Sequence, residues 1–377
     1  MLELNGKRKT ALRRWLRIAG VALAALVLWT LATLGSGRDG GDSRRSYPDE
    51  TQDGRGQIAR KRDDGIIRVG FSMDTLQEER WIKDQELFGK AVEALGGEFI
   101  VMTADSDDAK QIEQAETMIG MGVDLLVVVP HDAEAAATIV SKAHAAGIKV
   151  LSYDRLVRNA DVDLYVSFDN ERVGELMAES ITKLAPAGKY VFIGGSDTDY
   201  NAHLVKKGVF NVLQPYIDRG EITVVFDQWT PNWLPANARE NMRIALEAND
   251  GRIDAVIAGN DGTAGGAIEA LAEWDLAGRV PVAGQDAELA AAQRIVAGTQ
   301  TMTVYKPIRQ LAEVAAELAV SMAKGESPRA DRLVNNGKID VPSVLLTPIA
   351  VDAANIDDTI IADGFHSRED VYGAAAP

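Results

Sequence analysis

No cysteine occurs among the 377 residues, which excludes disulfides, thiolate-held zinc or iron–sulfur centres, thiol catalysis and lipid attachment through an N-terminal cysteine. Histidine is scarce. Its four copies, at 131, 144, 203 and 366, are scattered, and no HExxH sets two of them on one helix face. The GxxxxGKS/T and GxSxG patterns are missing. The first strand-like run is followed by GFSMDTLQEERW, with no Gly-rich turn to open a helix onto a phosphate. The acids at Asp105, Asp107 and Asp108 read as a helix start rather than a catalytic pair. No catalytic residue, metal or cofactor is expected.

Positive charge is also in short supply. The chain carries 40 Lys and Arg against 56 Asp and Glu, a net charge of −16. Nine of the basic residues fall within 1–45, against three acids, so that stretch is +6 and the remainder near −22. A surface this acidic repels phosphate backbones, and nucleic acid is set aside as a partner.

The basic N-terminus, KRKTALRRWLR, leads into IAGVALAALVLWTLATL, an uncharged apolar run of 17 residues. Residues 1–35 are expected to be an export signal or a membrane anchor, and the polar, Gly-rich 36–65 a disordered linker. Either reading leaves the remaining chain outside the cytoplasm, since positive charge stays inside. Its length suggests two domains.

From Ile66 onward, short Val- and Ile-rich runs alternate with segments whose apolar spacing is near 3.6. IIRVGFSMD precedes ERWIKDQELFGKAVEALGG, FIVMTADS precedes AKQIEQAETMIGMG, and DLLVVVPHD precedes AEAAATIVSKAHAAG. Alternation of this kind predicts βαβ units and an α/β fold with doubly wound, mostly parallel sheets. The pattern then doubles, through KYVFIGGSD, ITVVFDQW, DAVIAGND, VPVAGQD and MTVYKP. Two similar lobes joined by a multi-crossing hinge are expected: 66–168 plus 307–338, and 169–306 plus 339–366, with 367–377 as a tail.

Parallel strands end on one rim, and open α/β sheets bind ligands beside that rim. Here the strand ends carry Asp74, His131 and Asp132, Asp154 and Arg155, and Asp169 and Asn170. In the second half they carry Asp197, Trp229, Asn260 and Asp261, Asp286, and Lys306. Arg80 and Trp81 follow the first strand, and Trp233 follows Trp229. Asp132 and Asp197 read as helix caps. Acids, amides, cations and flat indoles together suit a neutral polyhydroxylated ligand.

These residues also carry a resemblance. ERWIKD, VLSYDR, SFDNERVGEL, DQWTPNWLPANA, NDGTAGGAIEAL, GQDAELAAAQRIVAGTQTMTVYKP, NNGKIDVPSVLLTPIAV and DGFH resemble the periplasmic sugar-binding proteins of ABC importers, which have the type I fold, over about 66–366. The resemblance implies a monosaccharide, D-xylose or a related sugar, held between the lobes by Arg80, Trp81, Asp154, Arg155, Asn201, Asn260, Asp286 and Lys306. Trp233 or Trp229 would stack on it. It implies a monomer that docks on an ABC transporter permease, and a chemoreceptor as a further partner. Interlobe crossings would fall near Asp169–Asn170, Tyr305–Lys306 and Ile339–Val341. The competing readings are a regulator's sugar-sensing domain and an enzyme on a doubly wound sheet.

Overall fold

The computed structural model describes residues 64–373. The expected export segment or anchor, nearly all of the expected linker and the last four residues lie outside the described residues.

The first lobe opens with strand β1 (Arg68–Met73), helix α1 (Glu79–Ala94), β2 (Glu98–Thr103), α2 (Asp108–Met121), β3 (Leu125–Val128), α3 (Ala137–Ala145), β4 (Lys149–Tyr153) and β5 (Leu164–Phe168). The chain then enters the second lobe. That lobe contains α4 (Asn170–Leu184), β6 (Gly188–Ile193), α5 (Tyr200–Asp218), β7 (Ile222–Gln228), α6 (Pro235–Ala248), β8 (Ala255–Ala258), α7 (Asp261–Ala272), β9 (Val282–Gln285), α8 (Leu289–Val296) and β10 (Met302–Tyr305). The chain returns through α9 (Ile308–Ala323), β11 (Arg332–Asn335) and β12 (Asp340–Leu346). It crosses again to β13 (Ile349–Asp352) and ends with α10 (Arg368–Tyr372).

Seven strands form the first sheet in the order β11-β12-β5-β4-β3-β1-β2, and six form the second, β13-β10-β9-β8-β6-β7. Pairing is parallel except at the late strands β11 and β13. Both faces of each sheet are covered, which is why β1, β3 and β5 are buried along their whole length. In the first lobe, Phe88 of α1 packs with Phe71 and Tyr153 of the sheet, rings 4.8–5.7 Å apart, in a core that α9 helps to cover. Met118, Leu126 and Ile139 fill the opposite face. Each such side chain contributes roughly 1.5–3 kcal/mol by leaving water. Helix limits follow local chemistry. Asp107 caps α2 by accepting from Lys110 N, and Gly122 ends it at φ +84°, a conformation that favours glycine.

Two boundaries differ from the sequence expectation. β12 pairs in parallel with β5, from Ser343–Tyr165 to Leu346–Phe168. The first lobe therefore runs to Leu346 rather than 338, and the third crossing lies at Thr347–Pro348 instead of Ile339–Val341. The expected tail is partly structural: α10 packs on α8, and Val371 is buried with Tyr305, Ile356 and Ile360 in a small core of the second lobe.

β4 and β5 are parallel neighbours joined by ten residues without a helix. Leu156, Val157, Ala160 and Val162 cover the sheet in its place. Fully buried Asn336, from the β11–β12 turn, clamps this loop: its Nδ2 donates to Val157 O (3.1 Å) and Ala160 O (2.7 Å), and its Oδ1 accepts from Lys338 N and Ile339 N. The clamped loop is the one that carries Asp154 and Arg155.

Candidate functional site

The strand-end rims of the two sheets face each other across a narrow cavity of about 30 Å³, room for little more than a water or two while the charged side chains of the two rims hold one another. Nine of the ten residues singled out from sequence line it: Arg80, Trp81, Asp154, Arg155, Asn201, Trp233, Asn260, Asp286 and Lys306. Glu78, Asp199 and Gln285 complete the wall.

Trp229 is the exception. Its ring lies 4.7 Å from His203 and 4.8 Å from Lys206 Nζ, outside the cavity. The reason is the turn after β7. Thr230 N bonds back to Gly195 O, and Asn232 and Trp233 both take positive φ, +54° and +56°. This reversal sends Trp233 inward and leaves Trp229 on the flank. Gly195 makes the inward seat possible, because a Cβ there would stand 2.0 Å from the indole.

Asp154 is held by its backbone. Arg155 N donates to Tyr153 O at 2.6 Å, closing a three-residue turn in which Asp154 has φ +58°. The Asp154 carbonyl accepts from Tyr165 Oη (2.9 Å), Ser167 Oγ (2.6 Å) and Asn201 Nδ2 (3.0 Å). Strained φ values persist where surrounding bonds over-determine them. Asp286, at φ +93°, is fixed similarly, its N donating to Val304 O. Asn260 caps α7 through a reciprocal bond pair with Thr263. Its Oδ1 is thereby committed, and its Nδ2 is the group it can offer the cavity.

Charges in the wall are paired across the lobes. Arg80 Nη2 meets Asp154 at 2.8 Å, its Nε meets Asp84 at 3.2 Å, and its Nη1 crosses to Asp286 at 3.2 Å. Lys306 Nζ lies 2.8 Å from the same Asp286 oxygen. Arg155 bonds Asp74 (2.6 Å) in its own lobe and Asp199 (2.7 Å) in the other, while His131 Nδ1 holds the second oxygen of Asp74 at 2.9 Å. Burial pushes the Asp154 carboxyl up, but Arg80, Lys306 and Arg155 outweigh it and hold it below the usual range. Asp74 is likewise held low against burial by His131 and Arg155. Asp84 goes the other way. Burial drives it up to about 6, and Tyr153 Oη donates to it at 2.5 Å.

Further contacts close the lobes outside the cavity. Glu79 of α1 accepts Leu289 N at 3.0 Å, so the first lobe caps helix α8 of the second. Arg158 stacks over Tyr200 at 4.1 Å. Of the two strand-end acids read as caps, Asp132 accepts from Glu134 N and Ala135 N, whereas the cap of α5 is Asp199, not Asp197. Among the described residues, no cluster of His, Asp and Glu could hold a metal ion.

Buried polar atoms remain without a protein partner in the wall: Glu78 Oε2, Trp233 Nε1 and Gln285 Oε1. Such atoms are costly when left unmet. With two indoles and a ring of charge-assisted donors and acceptors, they make a site for a small neutral molecule rich in hydroxyls.

Comparison with known proteins agrees with this geometry. The family model described as "Periplasmic binding protein domain" matches residues 69–327. A D-xylose-binding periplasmic protein of Escherichia coli (strain K12) is 50% identical over 305 residues, covering 81% of this chain and 92% of that protein. One from Haemophilus influenzae (strain ATCC 51907 / DSM 11121 / KW20 / Rd) is 51% identical over 306 residues, with the same coverage. The crystal structure of a carbohydrate transporter solute binding protein from Chloroflexus aurantiacus, in complex with D-glucose, superposes with a TM-score of 0.75 at 33% identity, covering 80% of this chain and 97% of that one. By fold, by site and by these matches, the chain belongs to the periplasmic binding protein family.

Proposed function

We propose that this protein captures D-xylose between its lobes in the periplasm and delivers it to the permease of an ABC importer. The family is one of substrate-binding proteins rather than enzymes, so the enzyme reading is set aside. The observation that carries the proposal is the cavity itself. Two buried indoles, three cations with acid partners and several unmet polar atoms converge on one cleft between the lobes. The pentose is favoured by the names of relatives about half identical to this chain.

In this reading Arg80, Asp154, Arg155, Asn201, Asn260, Asp286 and Lys306 hydrogen-bond the sugar, and Trp81 and Trp233 cover its C–H faces. The open lobes present two wet half-sites. Sugar binding favours closure only through the contacts that the second rim adds. A sugar with a misplaced hydroxyl would leave buried groups unpaired, and selectivity follows from that penalty. The protein acts as a monomer, and its closed shape is what the permease recognises; a chemoreceptor would read the same shape. The N-terminal 35 residues direct it out of the cytoplasm, as a cleaved signal or as a retained anchor. Calorimetric titration with D-xylose, D-ribose, D-glucose and L-arabinose tests the proposal. Tightest binding to D-xylose is expected, and failure to bind any of the four would end it.

A further inference from the structure

We infer that Glu78 is a specificity-determining residue of this cavity, presenting a protonated carboxyl as a hydrogen-bond donor to an oxygen of the bound sugar. The inference rests on the sugar-binding reading above and adds a residue that the strand-end pattern does not reach.

Glu78 occupies the N-cap position of α1, yet its side chain makes no cap bond to that helix. It lines the cavity instead, and its Oε2 is buried without a protein partner. It forms no ion pair among the described residues, although two arginines share the same wall.

Charge balance favours its protonated form. Arg80, Arg155 and Lys306 are the cavity's permanent cations, and their direct acid partners are Asp74, Asp84, Asp154, Asp199 and Asp286. Three cations facing five acids leave none for a sixth, even when His131 is counted on Asp74. Burial is the largest influence and pushes its carboxyl up; Arg155 and its own backbone N–H oppose, Asp74 and Asp286 add to the rise, and the balance is upward. Glu288 is a further acid whose charge repels that of Glu78. A neutral carboxyl can donate one O–H. The guanidinium and ammonium groups nearby spend part of their donors on carboxylates, and Glu78 adds one more for a sugar oxygen.

The test is calorimetry with D-xylose across a pH series on wild type, Glu78→Gln and Glu78→Ala. Glu78→Ala is expected to bind about tenfold more weakly at acidic pH, the loss of one neutral hydrogen bond. As pH rises, wild-type affinity should fall relative to Glu78→Gln, by up to about tenfold per pH unit beyond the carboxyl's own pKa, so that the amide variant overtakes it. Asp84, Asp261, Glu288 and His131 also titrate, but they are common to both proteins and cancel in the ratio. Carbon-13 NMR of the sugar-free protein, with the Glu78 signal assigned by its absence in Glu78→Gln, should show a carboxyl that stays neutral to higher pH than an exposed glutamate does. A pH-independent ratio, an unaffected Glu78→Ala or a Glu78 signal that ionises where an exposed glutamate does would overturn the inference alone. Wild type that binds no sugar would remove the sugar reading and this inference with it.

Discussion

Arg80 of the first lobe and Asp286 of the second lie 3.2 Å apart across the cavity, both largely buried, and the same Asp286 oxygen also holds Lys306 at 2.8 Å. One carboxylate thus neutralises two cations and ties the lobes together. Asp286→Asn strands Lys306 and takes one of the three acid partners of Arg80. Breaking a buried pair in this way costs roughly 3–5 kcal/mol, so D-xylose affinity should fall by at least about a hundredfold. Calorimetry that finds affinity within a few-fold of wild type would contradict the bridge.

The two tryptophans separate cleanly. Trp233 is 8% exposed and lines the cavity, while Trp229 packs on His203 and Lys206 beyond it. Trp233→Ala should weaken sugar binding by one to two orders of magnitude, about 1.4–3 kcal/mol. Trp229→Ala should change it less than about threefold, under 1 kcal/mol. Equal losses would reassign the stacking role.

Asn336 touches no part of the cavity, yet its side chain clamps the β4–β5 loop that bears Asp154 and Arg155. Asn336→Ala leaves two buried carbonyls and two turn N–H groups unmet. Stability should drop by about 2–4 kcal/mol, and sugar affinity should fall with it as the loop loses its set. A thermal melt paired with calorimetry checks both. Lowered stability with unchanged affinity would show that the clamp does not position the site.

Asp261 gives a stability signature in pH. It is buried and accepts from Gln300 Nε2, Thr303 Oγ1 and Glu288 N. Burial pushes its carboxyl up to about 7 from 3.8. Between those values the folded protein holds a proton that the unfolded chain has released, so stability falls as pH rises through the window and levels off above it. The decline is on the order of 4 kcal/mol at most. Asp261→Asn should remove this share of the decline, leaving what Asp84 and Glu288 contribute. Denaturant unfolding of both proteins across that range measures the difference, and parallel pH profiles would contradict the assignment.

Much of the site was legible because strand ends are readable. A Val- or Ile-rich run that stops on Asp-Arg or Asn-Asp announces both its C-terminus and a polar rim, and Asp154, Asn260 and Asp286 were found that way. Asp199 was missed because DTDYNAHL offers two acids before one helix, and only the backbone decides which caps it and which faces Arg155. Trp229 was included because TPNW does not reveal its two left-handed residues, which turn Trp233 inward. The β12 boundary was misplaced because VPSVLLTPIAV reads as one extended run, whereas Thr347–Pro348 breaks it between two sheets. Proline's missing N–H at that break was the available signal.

The most direct measurement is a crystal structure grown with D-xylose. The account predicts one pentose between Trp81 and Trp233, with Asp154 and Arg155 on one side and Asn260 and Asp286 on the other. A sugar bound elsewhere, or a closed cavity that excludes it, would contradict the account.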